Sequence, residues 1–161
     1  MNKIIRIFDA NLNRGREGLR VVEDLARFIL DDAELSSKIK SARHEITNFA
    51  RQLPIDEIDF LNARDSKGDV GIELNSLSED SRSGLAQIAM ANIRRSQESM
   101  RVLEELSKLY DADVAIKFKR LRFQLYELEK QVLIKLQNNS NNIEVKASDT
   151  VRIRPIGENN L

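Results

Sequence analysis

The sequence repeats itself. The string "DANLNRGREGLRVVED", residues 9–24, returns without a gap as "MANIRRSQESMRVLEE", residues 90–105. Ala10, Asn11, Arg14, Glu17, Arg20, Val21, Glu23 and Leu25 stand opposite Ala91, Asn92, Arg95, Glu98, Arg101, Val102, Glu104 and Leu106. A second pair, "KIKSARHEI" (38–46) and "KFKRLRFQL" (117–125), matches after a small shift and sets Arg43 opposite Arg122. Both pairs read with helical rather than strand periodicity. Two similar helical hairpins are too few for a solenoid. The expected fold is therefore all-α, a four-helix bundle with a pseudo-two-fold axis.

The expected elements follow from breakers and caps. A first helix is expected over about Ile7–Leu30, with Asp31 and Asp32 suited to capping a second helix over about Ala33–Gln52. Pro54 stops it. An irregular stretch from Ile55 to about Ser81 separates it from a third helix over about Ser83–Leu109. Asp111 or Asp113 would cap the last, which ends near Gln137. The bundle would thus occupy residues 1–138, with repeats over about 7–53 and 83–137 and a loop over 54–82. Residues 139–161, opening on "NNSNN", read as a polar tail or linker.

Composition narrows the function classes. Lys plus Arg and Asp plus Glu both number 26, so the formal net charge is zero. That argues against a dedicated nucleic-acid or anionic-membrane binder. There is no Cys, which removes disulfides, thiol catalysis and Cys-type zinc sites. No apolar run is long enough to span a bilayer, and the N-terminus lacks a signal-peptide pattern, so a soluble cytoplasmic protein is expected. Neither common nucleotide-binding loop is present, nor H-E-x-x-H, nor a nucleophile elbow.

On a helical wheel, Phe8, Leu12, Leu19, Val21, Val22, Leu25, Ala26, Phe28 and Ile29 form one apolar arc of the first helix. Gly15, Gly18, Asn11 and Arg14 fall within it, whereas Arg16, Arg20, Glu23 and Arg27 take the opposite face, and the spacing of Arg16, Arg20, Glu23 and Asp24 reads as a solvated ion-pair surface. In the third expected helix, Ser96 and Ser99 replace the glycines and Asn92 and Arg95 again fall inside. Leu35, Ile39, Ala42, Ile46, Phe49 and Leu53 line one side of the second helix, with Arg43 at its edge, as Arg122 is in the fourth. His44, the only histidine, lies off the stripe. A helical Gly costs about 1 kcal/mol relative to Ala, so two in one arc require a close approach. Two readings stand open. Either the helices cross at the notch, with Arg14 and Arg95 paired to Glu98 and Glu17, or these arginines grip a bound anion through the planar guanidinium fork. Arg outnumbers Lys by 16 to 10. The loop "DFLNARDSKGDVGIEL" places Arg64, Asp65 and Asp69 among glycines, a pattern that fits either a polar turn or Mg²⁺ held partly through water.

Together, "DANLNRGREGLRVVED", "ARDSKGDVG", "ANIRRSQESMRVLEE" and "LRFQLYELEK" resemble a helical domain family of thiamine biosynthesis. It occurs alone or fused ahead of thiamine-phosphate synthase, and the resemblance covers about Ile4–Lys135. The family departs from this sequence in small ways: Ala is usual at Gly15, and Ala-Leu at Ser99-Met100. The resemblance implies a hydroxymethylpyrimidine-phosphate kinase that uses ATP and Mg²⁺ on a small pyrimidine phosphate. It further implies association with thiamine-phosphate synthase. A homodimer is expected only because symmetric dimers are the common oligomer, and the charge balance leaves no nucleic-acid or membrane partner expected. Combined with the wheel, it makes Arg14, Arg95 and Asp69 the expected catalytic residues. Asn11, Arg43, Arg64, Asn92 and Arg122 become expected phosphate- and substrate-binding residues, with Asp65 and Asp69 as metal ligands. The alternative is a non-catalytic module that binds pyrimidine phosphate or nucleotide without turnover.

Overall fold

The computed structural model describes residues 2–65, 67–68 and 83–140. Five helices and no strand occur among the described residues: α1 (Asn2–Phe28), α2 (Ala33–Ala50), α3 (Glu57–Ala63), α4 (Leu85–Ser107) and α5 (Ala112–Ser140). The caps are local chemistry. Asp32 accepts the Leu35 N–H at 2.9 Å, and Asp31 before it adopts φ 49°, a left-handed conformation that Asp tolerates. Asp111 Oδ1 takes the N–H groups of Asp113 and Val114 at 2.8 and 3.1 Å. Of the two capping candidates at each start, Asp32 and Asp111 do the capping.

Helix α3 lies inside the stretch expected to be irregular. After Pro54 the chain turns tightly, Ile55 N–H donating to Leu53 O at 2.8 Å, and Asp56 then heads a helix with Glu57 and Asp59 in its first turn. Acidic residues there complement the helix dipole. At seven residues α3 is too short to stand alone in water and depends on docking. Ala63 is buried and Phe60 packs against the core.

Helix α1 is the hub, packing against α2, α3 and α4, while α5 packs against α4 and α2. The core holds Phe8, Leu12, Leu19, Val22 and Ala26 of α1 and Leu35, Ile39, Ala42 and Ile46 of α2. Ile93, Met100 and Leu103 of α4 and Phe118, Leu121 and Leu125 of α5 complete it. The Phe49 and Phe118 rings meet edge to face at 5.6 Å.

The glycine notch is a helix crossing. A Cβ on Gly18 would lie 2.5 Å from both Asn92 O and Ser96 Oγ, and one on Gly15 would lie 2.7 Å from Met100 Cε. Ser96 Oγ donates to Gly15 O at 3.0 Å, with its own helix's Asn92 O at 3.1 Å as second acceptor. The backbone of α1 therefore touches α4, and no ligand is needed to explain the small residues. The accompanying expectation for the arginines is corrected: Arg14 and Arg95 are exposed, as are Glu17 and Glu98, and no ion pair joins them among the described residues. Val21 and Phe28, placed in the apolar arc, are 37% and 61% exposed. The buried charges of these helices are carboxylates instead, Glu23 and Glu104.

Candidate functional site

Glu23 on α1 accepts from Arg43 Nε on α2 at 2.8 Å, with Arg20 Nη1 at 3.4 Å. Glu104 on α4 accepts from Arg122 Nη2 on α5 at 2.8 Å and from Arg101 Nη1 at 3.0 Å. A buried carboxylate is costly unless paired, and each of these meets two guanidinium groups. Burial works against the charge of Arg122, but hydrogen bonds with Tyr126 and Glu104 outweigh it and raise its pKa. Arg43 and Arg122 thus join the helices within each hairpin. Asn11 and Asn92 are likewise engaged locally, each donating its Nδ2 to the carbonyl four residues back, Ile7 and Ile88, at 2.9 Å.

The concave feature nearest to the sequence motifs is a cleft of about 370 Å³ between α1, α2 and α3. Asp9, Leu12 and Arg16 form its α1 wall, and Thr47, Ala50 and Arg51 its α2 wall. Ile55, Asp56, Glu57, Phe60, Leu61 and Arg64 close it from the α3 side. A volume of this size suits a small heterocyclic ligand. Arg64 grips Asp9 with two bonds, Nε to Oδ2 at 2.8 Å and Nη2 to Oδ1 at 2.7 Å. Asp9 is only 6% exposed. The hydrogen bond to Asp9, then its charge, raises the Arg64 pKa. Arg6 adds a second tether, donating to Asp65 O at 2.7 Å. These two contacts fix the end of α3 onto α1.

From Asp9 a polar chain runs along one face of α1 at helical spacing. Asn13 Nδ2 lies 3.4 Å from Asp9 Oδ1, Arg16 Nη2 donates to Asn13 Oδ1 at 2.6 Å, and Arg16 Nη1 reaches Thr47 Oγ1 at 3.4 Å. The residues placed at the site by the sequence are therefore divided. Arg64 lines the cleft. Asp65 is exposed beside it, its Oδ1 taking the Gly68 N–H at 2.8 Å and its Oδ2 3.6 Å from Arg6. Asp69 lies outside the described residues. Arg14, Arg95, Asn11, Asn92, Arg43 and Arg122 do not line it. Asp9, Asn13, Arg16 and Thr47 were missed. The signal was the i, i+4, i+7 spacing of Asp9, Asn13 and Arg16, one polar seam beside the apolar arc.

Among the described residues no group of three or more His, Cys, Asp or Glu could hold a metal ion. No described helix is long and apolar enough to cross a membrane. A second concavity of about 460 Å³ lies between the end of α1 and the start of α2, lined by Arg27, Lys40, Ser36 and Ser37 with Glu23 and Asp31. It involves none of the loop motif.

The family model described as the ThiD2 family matches residues 6–131, spanning all five helices from the first turns of α1 into α5. The chain belongs to the ThiD2 family. It is 39% identical over 130 residues to a thiamine-phosphate synthase of Nostoc punctiforme, covering 81% of this chain and 35% of that protein. It is 41% identical over 130 residues to one of Synechocystis, with coverage of 81% and 36%. It is 36% identical over 133 residues to one of Rhodopirellula baltica, with coverage of 83% and 35%. The chain thus spans about a third of the length of these relatives. No solved structure gives a significant match. Family and relatives together tie the chain to thiamine biosynthesis.

Proposed function

We propose that this chain phosphorylates 4-amino-5-hydroxymethyl-2-methylpyrimidine phosphate to the diphosphate at the expense of ATP, in the cleft between α1, α2 and α3. The observation that carries the reading is the meeting of two motif strings. Arg64 of "ARDSKGDVG" holds Asp9 of "DANLNRGREGLRVVED" at 2.7–2.8 Å, and both line one cleft. The matching ion pairs Glu23–Arg43 and Glu104–Arg122 support a duplicated four-helix bundle as its frame.

The chemistry asks little of a base. A phosphate oxygen of the acceptor, already ionised near pH 7, attacks the γ-phosphorus; the bond from that phosphorus to the β–γ bridging oxygen breaks, and ADP leaves. The difficulty is holding two anions in line, a task for fixed cations. Arg16, Arg51 and Arg64 surround the cleft, and Leu12, Ile55 and Phe60 offer a flat ring an apolar wall. Mg²⁺ enters as Mg–ATP, carried mainly on phosphate, and Asp65 offers one exposed carboxylate. Thiamine-phosphate synthase, the name carried by the relatives, is the proposed consumer of the product.

The test is turnover by the purified full chain with Mg–ATP and the pyrimidine phosphate, quantifying both products. Equal amounts of ADP and pyrimidine diphosphate, absent without the pyrimidine, are expected. Folded protein that binds the pyrimidine phosphate, judged by a raised melting temperature, yet forms neither product would establish the non-catalytic alternative.

A further inference from the structure

Arg16 is held in an unusual way. Eight described arginines, Arg6, Arg20, Arg43, Arg51, Arg64, Arg94, Arg101 and Arg122, each have a carboxylate within 4 Å. Arg14, Arg27, Arg95 and Arg120 have none among the described residues, and water solvates all four because they are exposed. Arg16 also has none, yet it is half-buried in the wall of the cleft. Its hydrogen-bond acceptors are neutral oxygens, Asn13 Oδ1 at 2.6 Å and Thr47 Oγ1 at 3.4 Å. A guanidinium withdrawn from water and left without a counter-charge is unfavourable. An anion in the cleft would relieve it.

The neighbours keep that charge free. Asp9, an acid on the same helix face that also lines the cleft, is taken by Arg64 through both of its oxygens. Asn13 stands between them with its Nδ2 toward Asp9, which leaves Oδ1 to face Arg16. The amide thus holds the guanidinium without neutralising it. In the other hairpin, Gln97 occupies the aligned position and donates to Glu129 at 2.8 Å, a carboxylate also bound by Arg94 at 2.8 Å. The corresponding place there is filled and neutralised.

We propose that Arg16, steadied by Thr47 and Asn13, is the anchor for a phosphate monoester dianion in this cleft. Arg16 would touch the ligand's phosphate, and Asn13 would be a positioning residue. The proposal rests on the cleft being the site of the reaction above and names which group of the acceptor lies where. The ring of a pyrimidine phosphate would then lie toward Phe60 and Ile55.

Titration calorimetry on the full chain tests it. The probes are the pyrimidine phosphate, the same pyrimidine without phosphate, and inorganic phosphate; the variants are Arg16→Gln, Arg16→Lys and, as a control outside the cleft, Arg94→Gln. Arg16→Gln installs the side chain that α4 carries at the aligned position. It is expected to weaken the pyrimidine phosphate at least about tenfold, the cost of losing a two-bonded charged contact. It should leave the unphosphorylated pyrimidine unchanged. Arg16→Lys, which keeps charge but loses the fork, should fall between, and Arg94→Gln should match wild type. Wild-type affinity in Arg16→Gln overturns the anchor. Should that variant not fold, wild-type affinity in Arg16→Lys overturns it equally. Wild-type protein that binds inorganic phosphate but not the pyrimidine phosphate would overturn the monoester anchor, whereas protein that binds the pyrimidine phosphate through Arg16 without turning it over would uphold the anchor and sink the kinase reading. Protein that binds no phosphate probe would overturn the anchor.

Discussion

The hairpin α1–α2 and the hairpin α4–α5 share a buried ion pair and differ one to two turns away. Glu23–Arg43 and Glu104–Arg122 both close at 2.8 Å. In the second hairpin Gln97 and Arg94 then both bind Glu129. In the first, Arg16 meets only neutral oxygens among the described residues, and Ala50 stands where the Arg43–Arg122 register puts Glu129. A methyl group in place of a carboxylate leaves both room and uncompensated charge. Helix α3 covers that opening. On the proposed duplication, two copies of one architecture divide the work, one kept as scaffold and the other opened as the proposed site.

Six substitutions break or sharpen this contrast. Gly18→Ala attacks the frame both hairpins share. Its Cβ would press on backbone at Asn92 O, so a loss of about 3 kcal/mol in urea unfolding is expected, outweighing any gain in helix propensity. Gly15→Ala meets the flexible end of Met100 and should cost far less. Ala50→Glu makes the first hairpin resemble the second. The new carboxylate should pair with Arg16, and kcat/KM should fall about a hundredfold, near 2.7 kcal/mol, while the fold persists by circular dichroism.

Arg122→Met and Arg43→Met compare the two ion pairs. Arg122 is more enclosed, 12% against 21% side-chain exposure, and bonds Glu104 through two nitrogens. Its loss should cost about 2 kcal/mol and that of Arg43 about 1, since each carboxylate keeps a second arginine. The smallest effect is at Glu45 of α2, whose pKa burial raises above its usual 4.5. A raised carboxyl pKa favours the folded state below the unfolded pKa, and that contribution is lost as pH rises through the folded one. Glu45→Gln should therefore add a few tenths of a kcal/mol at pH 7 and nothing at pH 4, read from melting curves.

Much of the frame was legible because it is local. Capping aspartates, Pro54 and the apolar spacing located the four long helices to within a few residues, apart from the start of α1 and the end of α5. The small-residue notch pointed to a close approach, and His44 is exposed off the stripe as the spacing indicated. The orientation of charges was not legible, for a physical reason. A wheel ranks positions by their own hydrophobicity, and it drew the arc toward Val21 and Phe28. Glu23 is buried because Arg43, 20 residues away, neutralises it, and Asp9 because Arg64, 55 residues away, does so. Arg14, without such a partner among the described residues, stays in water. Helix α3 escaped notice because seven residues are too few to establish a period, although Asp56 with Glu57 and Asp59 marked its start.

The central claim is that the chemistry occurs under α3, where Arg64 meets Asp9, and not in the α4–α5 hairpin. The most direct measurement is single-turnover formation of pyrimidine diphosphate from Mg–ATP by wild type, Arg64→Met and Arg94→Gln, each verified as folded. The account predicts that Arg64→Met slows the step by about a hundredfold or more, on the scale of losing a fixed charge at a phosphoryl-transfer site, while Arg94→Gln keeps the wild-type rate. A wild-type rate in Arg64→Met, with the loss appearing in Arg94→Gln, would contradict it.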